Sequence, residues 1–184
     1  DDVVSPQGVF STSLDHTPQS LSLLSDANPT TQFCGVTQAD GQAWIQYDAP
    51  SPVLLQGYSL FSGYNSTADP SGWELMGSED GQSWTSLHEV SEASFVARGQ
   101  SLKFDLDISQ PYQHFRLLLH GQANQTSFYL SEWQLMGRSV SSVDITADGG
   151  TISEAESLID HQGLTSAVVP QEGVVYRSAG NYAL

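Results

Sequence analysis

Apolar residues along this chain alternate with polar ones or come in short runs, and the 3.6-residue spacing of an amphipathic helix is scarce. Seven stretches carry strand-type patterning: 43–48 (AWIQYD), 54–62 (LLQGYSLFS), 73–78 (WELMGS), 84–90 (WTSLHEV), 103–108 (KFDLDI), 114–120 (HFRLLLH) and 128–136 (FYLSEWQLM). The clearest is 103–108. Phe104, Leu106 and Ile108 alternate with Lys103, Asp105 and Asp107, as in an antiparallel strand with one buried face. Gly, Pro, Ser, Asn and Asp punctuate the runs. Asp80-Gly81 between two of them signals a hairpin, because glycine takes the positive φ that the turn needs. The pattern predicts an all-β domain of the β-sandwich kind. Trp44, Trp73, Trp84 and Trp133 are expected to be scaffold, since large aromatics are mostly buried.

Charge narrows the choice of partner. The chain has 184 residues and a net charge of −16, from 21 Asp and Glu against five Lys and Arg. A surface of that sign repels phosphate backbones and anionic lipid, so neither nucleic acid nor membrane is an expected partner. It attracts divalent cations. Cys34 is the single cysteine, which rules out an intrachain disulfide and is expected to be buried rather than reactive. No 18-residue apolar run is present, nor a secretory leader pattern, and the compartment is not legible from this.

Four segments in register carry a resemblance. WELMGSEDGQSWTSL (73–87) resembles the W-x-L-x-G-S-x-D-G-x-x-W-x-x-L signature of discoidin-like domains, also called coagulation factor 5/8 type C domains. That family includes the bacterial carbohydrate-binding modules of family 32. LSDANPTTQF (24–33), AWIQYD (43–48) and the pair YQHFRLLLH (112–120) and YLSEWQLMG (129–137) are similar to further family segments in the same order. The resemblance covers about residues 1–138. It implies an eight-stranded jelly-roll β-sandwich with a galactose-binding-domain-like fold. Two departures, the missing disulfide and the acidic surface, point to the bacterial carbohydrate-binding branch. DPSGW (69–73) resembles modules appended to bacterial glycoside hydrolases.

The stretch 25–31 (SDANPTT) offers oxygen donors in one tight loop. Asp26, Asn28 and Thr31 supply three side-chain oxygens, and calcium takes six to eight oxygen ligands. The resemblance implies a structural calcium held by Asp26 and Thr31 and the carbonyls of Ser25 and Asn28, closed by Glu132. Ala27 stands where the family has glycine, and Asn28 where it has a second aspartate, which weakens the expected affinity. The competing assignment is an Asx-turn without metal.

A sugar site needs an aromatic platform for the apolar ring face and polar groups for hydroxyls. The family places it on loops at one end of the sandwich. The residues expected there are Tyr64, Asn65, Arg98, His120, Asn124 and Phe128. Each has a structural alternative. Tyr64 closes a strand, Arg98 offsets local acids, His120 ends a strand, or Phe128 points into the core. Asn65-Ser66-Thr67 and Asn124-Gln125-Thr126 are also glycosylation sequons.

Residues 139–184 repeat the head of the chain. AESLIDHQGLTSA (155–167) aligns with LSLLSDANPTTQF (21–33), bringing Asp160 onto Asp26 and Thr165 onto Thr31. The expectation is a linker and the start of an incomplete second unit, or a tail packed on the first. No nucleophile–base or zinc spacing is found, so no catalytic residue is expected. The reading is a non-catalytic module, secreted or on the cell surface of a bacterium. It binds glycan and is covalently linked to a larger glycoside hydrolase or other surface enzyme. The alternatives are a protein-interaction or adhesion module and a structural spacer.

Overall fold

A computed structural model describes residues 2–4, 7–38 and 42–140. From residue 141 the expected tail unit lies outside the described residues. The strands are β1 (Asp2–Val3), β2 (Val9–Thr12), β3 (Phe33–Val36), β4 (Trp44–Ser62), β5 (Gly72–Ser78), β6 (Thr85–Val90), β7 (Ser101–Asp105), β8 (Tyr112–His120) and β9 (Ser127–Ser139). Short 3-10 turns occupy Leu21–Ser25 and Ser66–Ala68. Eight strands have four residues or more, with the two-residue β1 beside them. This is the eight-stranded jelly-roll sandwich that the sequence predicts.

All strand pairs are antiparallel, and β4 organises them. Its first part, Trp44–Asp48, lies between β2 and β8; β5 and β6 follow outward from β8. Its second part, Val53–Ser62, lies between β7 and β9; β3 and β1 share the far edge of β9. The sequence splits β4 into two strands at Ala49-Pro50-Ser51-Pro52, but the chain stays extended through it. The β8 register slips between Asp48 and Val53, where prolines have no ladder N–H to lose. The two inner faces close on one core that includes Ile45, Tyr58, Leu60, Trp73, Leu117 and Leu135.

Within that core one set of polar aromatic edges is paired, while the buried Trp133 Nε1 has no hydrogen-bond partner among the described residues. Trp73 Nε1 donates to Tyr58 Oη at 2.7 Å, and Tyr58 Oη is 2.8 Å from His88 Nδ1. The Tyr58 hydroxyl accepts from the indole and joins it to the His88 imidazole. Phe104, from the alternating 103–108 stretch, stacks on Tyr58 at 5.0 Å and meets the Trp73 ring edge-on at 5.9 Å.

The hairpin is wider than a two-residue turn, since Gly77 pairs with Thr85. Asp80 Oδ1 accepts from the Gln82 and Ser83 amides at 2.8 and 2.7 Å, and Gly81 has φ +72°. These amide hydrogen bonds lower the Asp80 carboxyl to about 2. Trp73 and Trp133 are fully buried, as scaffold should be. Trp44 and Trp84 are half-buried on the outer face, clasping the Arg116 guanidinium at 4.5 and 4.1 Å from their ring centroids. Gln46 Oε1 holds the same guanidinium from below, at 3.1 Å from Nε and 2.6 Å from Nη2. Cys34 is half-buried on β3, and burial pushes its thiol up.

Tyr58→Phe keeps the ring packing but leaves the Trp73 N–H buried without an acceptor. Urea unfolding should show a loss of about 1–3 kcal/mol. An unchanged midpoint would mean that the Trp73–Tyr58–His88 chain contributes no stability.

Candidate functional site

The strands separate two loop ends. β5 enters at Gly72 opposite His120 and leaves at Ser78 opposite His114. The loop 63–71 and the 121–126 turn therefore lie at one end, and the hairpin 79–84 lies at the other. Hydrogen bonds bring two further loops to the first end. Ser62 Oγ donates to Ala97 O at 3.1 Å, drawing in 93–100, and Tyr64 N donates to Gln32 Oε1 at 2.8 Å, drawing in 26–32.

Most of the expected ligand residues converge there. Tyr64 is 50% exposed, with its hydroxyl 3.3 Å from Pro29 O. Asn65 is exposed and starts the 3-10 turn; its Oδ1 accepts from the Thr67 amide at 3.1 Å and the Thr67 hydroxyl at 2.8 Å. His120 ends β8 with an exposed side chain, and its carbonyl accepts from Ser71 N at 2.9 Å. Asn124 is exposed at φ +67°, a left-handed position that asparagine tolerates.

Two of the six do not fill the roles expected of them. Phe128 is 2% exposed and its ring belongs to the core, so it is no stacking platform. Its neighbour on β9, Tyr129, takes the outward phase of the strand, as period-2 alternation requires. Arg98 is already spent. Nη1 and Nη2 grip Asp69 Oδ1 and Oδ2 at 2.8 and 2.7 Å, and also donate to Gly63 O at 3.0 Å and Phe95 O at 3.2 Å. This fork clamps the 63–71 loop to the 93–100 loop instead of reaching for hydroxyls.

Three loop organisers escaped the sequence reading. Asp69 receives Arg98, Gln125 Nε2 donates to Asp69 O at 2.9 Å, and Gln32 holds the Tyr64 amide. Only Asp69, just before Pro70, had a local turn signal. Val96, 85% exposed at the tip of its loop, was also missed.

The 25–31 turn, where a cation is expected, is closed by its own hydrogen bonds. Thr31 Oγ1 donates to Asp26 Oδ2 and to Asn28 O, both at 2.8 Å. The Asn28 amide donates to Asp26 Oδ1 at 3.0 Å and Glu132 Oε1 at 2.9 Å. Asn28 Oδ1 faces Thr30 instead, accepting from its hydroxyl at 2.6 Å. Ala27 adopts φ +58°, keeping the left-handed turn that glycine would take without strain. Glu132 is 1% exposed. Burial first, then hydrogen bonding to Asp26, pushes its carboxyl up to about 7. A buried carboxylate beside a second one needs a proton or a cation, and the carboxylate, hydroxyl and carbonyl oxygens of this turn are the ligand type a hard ion takes. Among the described residues no three His, Cys, Asp or Glu side chains converge, so two carboxylates and the turn's carbonyl and hydroxyl oxygens are what the site offers.

The opposite end holds a shallow cleft of about 260 Å³, lined by Glu79, Asp80, Ser83, Thr85, Gln110 and Tyr112. Tyr112 is only 7% exposed, so this cleft presents no aromatic face to a sugar.

Sandwich, hairpin and loop ends together define a galactose-binding-like jelly-roll domain. Residues 9–132 match the F5/8 type C domain family, and the chain belongs to it. The E3 ubiquitin-protein ligase Ufd4 of Drosophila melanogaster is 30% identical over an alignment of 131 residues, covering 66% of this chain and 5% of that protein's length. The fold is similar to CpGH89CBM32-5 from Clostridium perfringens in complex with GalNAc-beta-1,3-galactose, at 10% identity and a TM-score of 0.61, covering 73% of this chain and 99% of that one. It is also similar to the C-terminal domain of a chitobiase from Bacteroides fragilis, at 18% identity and a TM-score of 0.62, covering 77% of this chain and 100% of that one.

Asp69→Ala should leave Arg98 without its fork, cost about 1–3 kcal/mol and speed amide exchange in 63–71 and 93–100. Unchanged exchange there would remove Arg98 as the clamp between the loops. A second expectation concerns pH. With EDTA present, native Glu132 keeps a proton between its ordinary 4.5 and about 7 that the unfolded chain has released. Stability then falls as pH rises through that window. The melting temperature of Glu132→Gln should lack this component of the slope, and identical slopes would contradict the shift.

Proposed function

We propose that this domain is a non-catalytic carbohydrate-binding module, held together by calcium and covalently linked to a larger enzyme that it keeps on its glycan. The observation that carries the reading is Tyr64. It is a half-exposed aromatic at a loop end where Asn65, His120 and Asn124 are also exposed. An aromatic face takes the apolar side of a sugar ring, and short polar side chains take its hydroxyls. The bound GalNAc-beta-1,3-galactose of the C. perfringens structure supports the same ligand class. So does the similar fold of a chitosan-binding module from a Paenibacillus chitosanase/glucanase, at 14% identity and a TM-score of 0.60. Weak binding by such a module raises the local concentration of substrate around a linked catalytic domain. That role fits a secreted or cell-surface bacterial protein.

Asp26 and Glu132 would hold the calcium, with Thr31 and the carbonyls of Ser25 and Asn28. The ion would neutralise the buried Glu132 and stiffen the turn under Tyr64. The chain's own contribution is to keep that turn closed through the Thr31–Asp26 and Asn28–Glu132 hydrogen bonds.

A glycan array probed in calcium buffer tests the reading. Binding to galactose-, mannose- or glucose-type termini is expected, with Tyr64→Ala reducing it at least about tenfold, the equivalent of roughly 1.4 kcal/mol. A folded protein that binds no glycan refutes it. Val96 then favours adhesion to a protein, because it puts an exposed apolar tip at the same end. For the metal, EDTA should lower the melting temperature of the unaltered chain and not that of Asp26→Ala; an equal response in both would exclude calcium at this turn.

A further inference from the structure

Tyr64 is tied at both ends of its residue to one turn. Its amide donates to Gln32 Oε1 at 2.8 Å, and its hydroxyl reaches Pro29 O at 3.3 Å. The second contact is long for an O–H···O bond, so the Gln32 tether is the stronger of the two. Gln32 is also packed tightly against the chain before Tyr64. A Cβ added to Gly63 would stand 2.7 Å from Gln32 Oε1 and 2.9 Å from Tyr129 Cβ, so both approach the backbone there closely. From the other side Arg98 Nη1 holds Gly63 O at 3.0 Å. Pro29 and Gln32 in turn flank the residues that close the acidic turn, since Asn28 bonds Glu132 and Thr31 bonds Asp26.

We propose that Gln32 is a positioning residue that transmits the state of the 25–31 turn to Tyr64, so that cation occupancy of the turn and presentation of the tyrosine form one linked equilibrium. Linkage is reciprocal: whatever calcium does to the placement of Tyr64, the Tyr64 tethers do to calcium affinity. The proposal rests on the calcium reading given above and is independent of which sugar binds. It makes the ligand end of this module cation-responsive, although neither Gln32 nor Tyr64 is offered as a calcium ligand.

The test uses the whole 184-residue chain and calcium alone as the probe. Amide hydrogen exchange at Tyr64 is measured with calcium and with EDTA, and calcium affinity is measured by calorimetry. In the unaltered chain calcium should slow Tyr64 exchange about tenfold or more. Gln32→Met, which keeps the length of the side chain and loses the acceptor, should abolish that calcium effect and weaken calcium binding about three- to tenfold. Tyr64→Phe, which loses only the hydroxyl, should weaken calcium less. A merely structural Gln32 would lower the melting temperature without changing the calcium response of Tyr64. Calcium binding with equal affinity in all three chains and no change in Tyr64 exchange overturns the proposal and leaves the calcium reading standing. No calcium uptake by the unaltered chain overturns both. The exchange measurement on the unaltered chain needs no variant, so a Gln32→Met chain that fails to fold does not block the test.

Discussion

The domain depends on one constraint, the unbroken run of extended backbone from Trp44 to Ser62. A strand that stays within one sheet has two neighbours, whereas β4 has four: β2 and β8 along its first part, β7 and β9 along its second. Val53, opposite both Tyr112 and Ser139, is where the layers meet. Any slip of one residue in β4 would turn the inward side chains of both layers outward, so both halves of the core fix the same register. The buried Trp73–Tyr58–His88 chain adds direction to that register, because hydrogen bonds between aromatic edges fix angles that apolar packing leaves loose.

With the strands fixed, the loops at the Tyr64 end are ordered by a few polar ties. Arg98 and Asp69 clamp 93–100 to 63–71, and Gln125 bonds the carbonyl of Asp69. The 25–31 turn lies beneath Tyr64 and is tied to β9 through Glu132. The chain is strongly acidic, yet one of its few cations is spent inside this clamp. The exposed groups left at this end are mainly neutral, which suits an uncharged hydroxylated ligand better than an ionic one. The outer-face clasp of Trp44, Arg116 and Trp84 serves a different purpose: the guanidinium links the two indoles and takes up one face of each ring.

How much was legible follows from how local each signal is. The 103–108 alternation put Phe104 on the buried side, where it stacks on Tyr58, because strand phase is set by adjacent residues. Asp80-Gly81 marked the hairpin for the same reason. The short strands β1, β2 and β3 carry no such alternation and are held by ladders to β9 or β4, more than thirty residues away. Pro50 and Pro52 read as a break because proline has no N–H to donate, yet the chain stays extended there and the Pro52 carbonyl accepts from Val140 N at 2.7 Å. Phe128 looked like a platform from its place after a polar loop, but it takes the inward phase of β9 and its side chain joins the core. Arg98 looked available because Asp69, its partner, is twenty-nine residues away. Gln32 had no signal, since a glutamine acting through one side-chain oxygen looks like any other surface residue.

If the domain binds glycan as proposed, the ligand sits on the loops around Tyr64 and not on the sheet face or in the hairpin cleft. Amide chemical-shift mapping of the isotope-labelled chain during a galactose titration in calcium buffer tests it most directly. Shifts confined to 26–32, 63–71, 93–100 and 120–126 are expected. Shifts centred on Trp44, Trp84 and Arg116, or on Glu79 and Gln110, would contradict it.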